Sequence, residues 1–75
     1  VPFYIRDAFN SWMEKVEYVG FLETRKILSY HDEPLQGHRF GQRSIRLNRS
    51  YRMIYKVIGR ELLIVTILEI TKHKY

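Results

Sequence analysis

Apolar residues in the first part of the chain recur at the spacing of an α-helix. From Ile5 onward they fall three or four positions apart, which places them along one stripe of a helix. The stripe consists of Ile5, Ala8, Phe9, Trp12, Met13 and Val16. Pro2 suits the first turn of such a helix, and Gly20 suits the position just beyond its end. The sequence therefore predicts a helix that ends before Gly20 and packs its apolar stripe, Trp12 and Met13 included, against a sheet.

A weaker apolar pattern over residues 21–28 predicts a second, short helix. Residues 29–41 contain Pro34, Gly37 and Gly41, which interrupt regular structure and permit turns. We expect this segment to be a loop.

Apolar and polar residues alternate in the next segment. Ile45 and Leu47 alternate with polar neighbours, and Tyr51, Met53 and Tyr55 do the same after a polar turn. A period of two is typical of strands with one buried face. The pattern predicts antiparallel strands at 45–47 and 51–57. The side chains of Tyr51, Met53 and Tyr55 should face the core.

Residues 62–70 are nearly all apolar, with the sequence Leu-Leu-Ile-Val-Thr-Ile-Leu-Glu-Ile. Such a run predicts a central strand that is covered on both faces. Gly59, Arg60 and Glu61 would form the turn before it. The order of elements predicts a single α+β domain over residues 1–75, in which helices pack on one face of a small, twisted antiparallel sheet.

The charge of the chain is unevenly distributed. The net charge is +5, but residues 1–33 carry four basic and six acidic side chains, a net of −2, whereas residues 34–75 carry nine basic and two acidic ones, a net of +7. This asymmetry indicates an anionic partner such as nucleic acid, an acidic protein or a membrane surface. A solvated basic face is the alternative.

The chain has no cysteine and no apolar run of the roughly 20 residues that span a membrane, so we expect a cytoplasmic protein without a membrane partner.

The positive charge is concentrated on the predicted hairpin. No acidic residue lies between Pro34 and Arg60. The basic residues of the hairpin are Arg43, Arg46, Arg49, Arg52 and Lys56. A row of unpaired arginines contributes little to stability but suits the binding of a phosphate chain.

Cleavage of RNA by its own 2′-hydroxyl needs cations that stabilise the phosphorane and a group that moves protons near neutral pH. Arg46 and Arg52, on neighbouring strands, could clamp the phosphate. His73 could transfer a proton, and Tyr75 could donate one or stack on a base. The last strand runs back beside the hairpin, so its end could reach the two arginines.

Each of these residues also has a purely structural interpretation. Arg52 could lie over apolar surface or pair with Glu69, and Arg46 could do the same. His73 and Tyr75 could be ordinary surface residues near the end of the chain.

The loop before the hairpin contains further polar residues. Arg39 is a candidate phosphate contact and equally a candidate solvent residue. His31, Asp32 and Glu33 are adjacent in a loop and lack the spacing of metal ligands on a helix, so we expect no metal site.

Four short motifs resemble the toxins of the RelE/ParE superfamily, and in particular the RelE-like and HigB-like branch of type II toxin–antitoxin systems. They are P-L-x-G at 34–37, R-S-I-R-L at 43–47, Y-R-x-I-Y at 51–55 and K-H-x-Y at 72–75. The similarity covers essentially the whole chain and is strongest from Tyr30 onward. It implies the same α+β fold that the apolar pattern predicts.

The resemblance also implies a function. RelE-like and HigB-like toxins cut mRNA in the ribosomal A site without a metal or other cofactor, and each is inhibited by a cognate antitoxin. By motif, Arg52 matches the strand arginine that contacts the scissile phosphate, and His73 and Tyr75 match C-terminal positions used in several branches. The expected catalytic residues are thus Arg52, His73, Tyr75 and Arg46. The expected RNA-binding residues are Arg39, Arg43, Arg49 and Lys72.

Two departures from the family remain. Its members begin with a strand and a helix that precede the region matching Val1, so the resemblance implies that these are missing here and that a sheet edge is exposed. The catalytic residues of the superfamily are also not uniform. The alternatives are therefore a ParE-like inhibitor of DNA gyrase that is not a nuclease, and a non-catalytic RNA-binding module.

Overall fold

The structure, a computed structural model, describes residues 3–69 and consists of one long helix against a four-stranded antiparallel sheet. The strands lie in the sheet in chain order, β1-β2-β3-β4. The elements are α1 (Phe3–Arg25), β1 (Glu33–Pro34), β2 (Arg43–Arg46), β3 (Tyr51–Ile58) and β4 (Glu61–Glu69), with 3₁₀ turns at Leu28–Tyr30 and Gly37–Arg39. The predicted α+β fold is confirmed.

Helix α1 is kinked at Gly20, whose φ of 87° lies in the left-handed region. Glycine adopts this conformation without steric cost, which explains why the first helical segment stops there. A short second segment follows, as the sequence predicted, but it ends at Arg25 rather than at residue 28. The Thr24 hydroxyl donates a 2.8 Å hydrogen bond to the Gly20 carbonyl and ties the two segments together. Neither helical segment within residues 3–69 combines the length and apolarity of a membrane span.

The apolar stripe of α1 packs on one face of the sheet and forms the core. The buried core residues are Ile5, Trp12, Val16, Ile45, Leu47, Met53 and Tyr55. Ala8, Phe9, Met13 and Tyr51 pack against them. The centroid of the Trp12 ring lies 5.0 Å from that of Tyr55. Both the helical stripe and the inward faces of the two predicted strands are thus confirmed.

The segment predicted as a loop, residues 29–41, contains a strand. In β1, Glu33 pairs with Ser44 and Pro34 pairs with Arg43. The Leu35 amide continues the pairing by donating a 2.9 Å hydrogen bond to the Gln42 carbonyl. The prediction of an unbroken loop was wrong because a two-residue strand shows no periodicity, and the proline fits only because β1 is an edge strand.

The prediction that the last strand is central is also wrong for the described residues. Strand β4 pairs only with β3 and forms an edge of the sheet. Its apolar residues Leu63, Ile64, Val65 and Leu68 remain between 39% and 45% exposed. Composition alone misled the prediction because an apolar strand looks alike in the middle and at the edge of a sheet.

Candidate functional site

The register of β2 and β3 sorts the basic residues of the hairpin between the two faces of the sheet. Ile45 lies opposite Met53 in the core, and the next pair, Arg46 and Arg52, faces the other way. Side chains alternate between the faces of a strand, so these arginines point away from α1. We call this face, turned away from the helix, the open face. From β1 to β3 it carries Glu33, Ser44, Arg46, Arg52, Ile54 and Lys56, of which Ser44 and Ile54 are buried.

Arg52 is held in place by hydrogen bonds on one side of its guanidinium group. Its Nε donates to the Ser44 hydroxyl at 2.6 Å, and its Nη2 donates to the His31 carbonyl at 3.1 Å. Ser44 is itself buried. Within residues 3–69, Nη1 has no hydrogen-bond partner. The contacts therefore fix the group while leaving one of its nitrogens for an outside acceptor.

The His31 carbonyl reaches Arg52 because the backbone of His31 has an unusual conformation. Its φ of 48° makes it the one non-glycine residue at positive φ in the described part of the chain. The residue ends the 3₁₀ turn Leu28–Tyr30, where its amide donates to the Leu28 carbonyl. Histidine tolerates this region better than most residues, although the conformation is uncommon.

Glu33 brings a carboxylate close to the guanidinium group of Arg52. Its Oε2 lies 3.9 Å from Nη2 of Arg52, and its side chain is 62% exposed. Sequence reasoning missed this residue because it considered Glu33 only as a metal ligand. The available signal was Pro34, which restricts Glu33 to extended geometry and so permits strand pairing.

His31, Asp32 and Glu33 do not converge. Asp32 turns toward Arg43 and Tyr55, whereas Glu33 turns toward Arg52 on the other face. In residues 3–69 no group of three or more His, Asp or Glu side chains is arranged to hold a metal ion.

Arg46 is the exposed member of the arginine pair. Among the residues from 3 to 69, no carboxylate lies within 4.0 Å of its guanidinium. Like charges directly opposite each other on paired strands destabilise a sheet. An anion bound between Arg46 and Arg52 would relieve this repulsion.

Arg43 lies on the helix-facing side of the sheet, away from Arg46 and Arg52. It pairs with Tyr55 across the strands, and its Nε forms a 2.5 Å ion pair with Asp32. The expectation of a row of unpaired arginines was wrong at this position. Residues two positions apart on a strand lie on the same face, so the alternation that buries Ile45 also predicts that Arg43 faces the helix. Its assignment as an RNA contact stays a prediction.

The Asp32 carboxylate is 1% exposed and also accepts a 2.6 Å hydrogen bond from the Tyr55 hydroxyl. Burial and, secondarily, the interaction with Asp32 raise the pKa of Tyr55 to about 12. The phenol therefore stays protonated and neutral, and Asp32 serves as the counterion of Arg43.

The remaining predicted RNA contacts are dispersed. Arg49 is exposed in the turn between β2 and β3, where the Asn48 side chain accepts hydrogen bonds from two backbone amides. Arg39 lies in the 3₁₀ turn Gly37–Arg39 and donates to the Gln42 side chain at 3.1 Å. Neither joins the Arg46–Arg52 pair through a hydrogen bond found in the described residues.

Three predicted site residues, Lys72, His73 and Tyr75, lie outside the described residues. Their roles stay predictions. The alternative pairing of Arg52 with Glu69 is not realised, because Glu69 lies opposite Tyr51 and Arg52 instead contacts His31 and Glu33.

Comparisons of the chain with protein-family models, curated proteins and solved structures find no match. The likeness to RelE/ParE toxins therefore rests on the four sequence motifs. The functional argument rests on the open face itself, where β2 and β3 bring together two arginines and β1 adds a carboxylate.

Proposed function

We propose that this protein is the toxin of a type II toxin–antitoxin system and acts in the cytoplasm as a ribosome-dependent mRNA endoribonuclease. One observation carries the proposal. Arg46 and Arg52 lie opposite each other on an open sheet face, and hydrogen bonds to Ser44 and His31 fix Arg52. A fixed guanidinium beside an adaptable one suits a phosphate whose charge increases during the reaction.

In this proposal the two arginines bind the scissile phosphate. Arg52 contributes the part of its guanidinium that its protein contacts leave free, and Arg46 closes on the phosphate from solvent. Because Arg52 is already ordered, little conformational entropy is lost there when RNA binds. Both charges stabilise the phosphorane more than the ground state, since the phosphorane carries the additional negative charge.

The chemical step is attack by the 2′-oxygen on the adjacent phosphorus. A base removes the proton of the 2′-hydroxyl, the new O–P bond forms, and the bond to the 5′-oxygen breaks as that oxygen gains a proton. The products are a 2′,3′-cyclic phosphate and a 5′-hydroxyl. Glu33 is a candidate base because its exposed carboxylate lies beside Arg52. His73 and Tyr75 are the candidates from the sequence for the second proton transfer.

The partners in this proposal are mRNA in the ribosomal A site and a cognate antitoxin. An acidic antitoxin segment that covers the open face would neutralise Arg46 and Arg52 and block RNA. We expect their association to be fast and sensitive to salt because charge complementarity accelerates encounter. An association rate that does not change with ionic strength would contradict this.

The proposal is tested by cell-free translation with the complete protein and mapping of mRNA 5′ ends by primer extension. The wild type should produce discrete cuts within translated codons, and Arg52→Ala should abolish them. Arg60→Ala is the matched control, because it removes one charge from the exposed turn between β3 and β4. Intact mRNA together with inhibited supercoiling by gyrase would favour the ParE-like alternative. RNA binding without cleavage would favour the non-catalytic module.

A further inference from the structure

A second surface feature lies on the opposite side of the sheet from Arg52. A cleft of about 260 Å³ opens between the end of α1, the loop after β1 and the helix-facing side of β2 and β3. Arg43 and Val57 line it from the sheet, Arg25 from the helix, and Gln36 and Phe40 from the loop.

The cleft has an excess of one positive charge. The ionisable groups around it are Arg25, Arg43, Asp32 and the neutral Tyr55. Asp32 is paired with Arg43, so the charge of Arg25 is not compensated within this group. Nε of Arg25 is buried, and among residues 3–69 it has no hydrogen-bond acceptor. Such a cleft favours a ligand with one negative charge near Arg25.

Phe40 gives the cleft an exposed aromatic ring. Its relative exposure is 78%, which is high for a large apolar residue next to a pocket. The loop that carries it is ordered by hydrogen bonds from the Phe40 amide to the Gly37 carbonyl at 3.0 Å and from the Gln42 amide to the Arg39 carbonyl at 2.9 Å. An exposed aromatic ring on an ordered loop provides a platform for base stacking at low entropic cost.

The cleft and the open face adjoin at the same sheet edge. In β1, Glu33 lies beside Arg52 on the open face, and the next residue, Pro34, lines the cleft. In β2, Ser44 contacts Arg52, and the preceding residue, Arg43, lines the cleft. The two surfaces therefore meet along the edge of the sheet that β1 forms.

We propose that the cleft binds a nucleotide that neighbours the scissile phosphate, with its phosphate at Arg25, its base stacked on Phe40 and its base edge within reach of the Gln36 amide. This inference rests on the proposed function for the identity of the ligand as RNA. It adds a subsite that would give the enzyme a preference for bases flanking the cut. A nucleotide combines a flat base for Phe40, polar base-edge groups for Gln36 and a phosphate for Arg25, and this combination favours it over an acidic peptide.

The test is NMR titration of the complete, isotope-labelled protein with the methyl esters of the four nucleoside 5′-monophosphates, without ribosomes. Each of these nucleotides has a phosphodiester with a single negative charge, as in RNA. At least one should bind saturably and shift the resonances of Phe40 and Gln36. Phe40→Ala and Arg25→Gln should each weaken that binding about ten-fold. Lys26→Gln, which removes a neighbouring exposed charge, should change it less than two-fold.

Three results would overturn the proposal. They are equal binding of inorganic phosphate and nucleotides, equal binding by wild type and Phe40→Ala, and tighter binding of the acidic dipeptide N-acetyl-Phe-Glu-amide than of any nucleotide. The titration also distinguishes this inference from the proposed function. Nucleotide binding in the cleft with intact mRNA in the translation assay would reject the nuclease and keep the subsite, and the reverse pair of results would keep the nuclease and reject the subsite.

Discussion

Arg46 of β2 lies directly opposite Arg52 of β3 on the open face, yet the two residues are held differently. Arg52 is mostly buried, with 20% of its side chain exposed, and is anchored by Ser44 and His31. Arg46 is exposed. Two cations opposed in this way weaken the hairpin unless an anion joins them, so the arrangement is better suited to binding than to stability.

Ser44 positions Arg52, and removing its hydroxyl should slow cleavage without unfolding the protein. In Ser44→Ala, the Nε of Arg52 loses the hydroxyl that accepts its 2.6 Å hydrogen bond. We therefore expect the maximal cleavage rate to fall about ten-fold while KM changes little. A double-mutant cycle provides the control, because Ser44→Ala should have no further effect once Arg52 is alanine. Additive losses would show that Ser44 acts independently of Arg52.

Glu33 is the candidate base, and its loss should affect chemistry rather than binding. Glu33→Gln keeps the size of the side chain but cannot accept the proton, so single-turnover cleavage should fall about 100-fold while RNA affinity stays within a few-fold. Glu61→Gln is the matched control, since Glu61 is exposed at the start of β4. If both variants cleave at the wild-type rate, Glu33 is not the base and His73 becomes the first alternative.

The Asp32–Arg43 pair should stabilise the fold much more than the surface pair Lys26–Glu23. Asp32→Asn leaves Arg43 without its counterion, and we expect the free energy of unfolding in urea to fall by about 2 kcal/mol. Glu23→Gln breaks a solvent-exposed pair and should change it by less than about 0.5 kcal/mol. Similar values for the two variants would contradict a structural role for Asp32.

Tyr55 should make stability depend on alkaline pH. Its pKa is about 12 in the folded protein against an ordinary value of 10, so the folded state binds the proton more strongly. The contribution of the hydroxyl is complete below pH 10 and is lost as the pH rises toward about 12. The stability advantage of the wild type over Tyr55→Phe, measured by urea unfolding, should therefore shrink across this range. An advantage that stays constant with pH would contradict the shifted pKa.

Much of the fold could be predicted from the sequence because its core follows two simple periodicities. Ile5, Trp12 and Val16 are spaced as one helical stripe, and Ile45 and Met53 each alternate with polar neighbours. Strand β1 could not be predicted because two residues are too few to show a period. The edge position of β4 could not be predicted because the composition of a strand does not reveal which strands pair with it.

The candidate site could be predicted only in part. Basic strand positions identified Arg46 and Arg52 as candidates on neighbouring strands, and the register shows that they lie opposite each other. The contacts of Arg52 with His31 and Glu33 join segments about twenty residues apart, which no local pattern specifies.

The most direct test of the central claim is the single-turnover rate of mRNA cleavage on purified, programmed ribosomes, with identification of the product ends. We predict cuts in the A-site codon that leave a 2′,3′-cyclic phosphate and a 5′-hydroxyl. The rate should fall at least 100-fold in Arg52→Ala and less than three-fold in Arg60→Ala, because Arg52, unlike Arg60, belongs to the arginine pair that is proposed to stabilise the developing charge. Uncut mRNA with the wild-type protein, or equal rates for Arg52→Ala and wild type, would contradict the account.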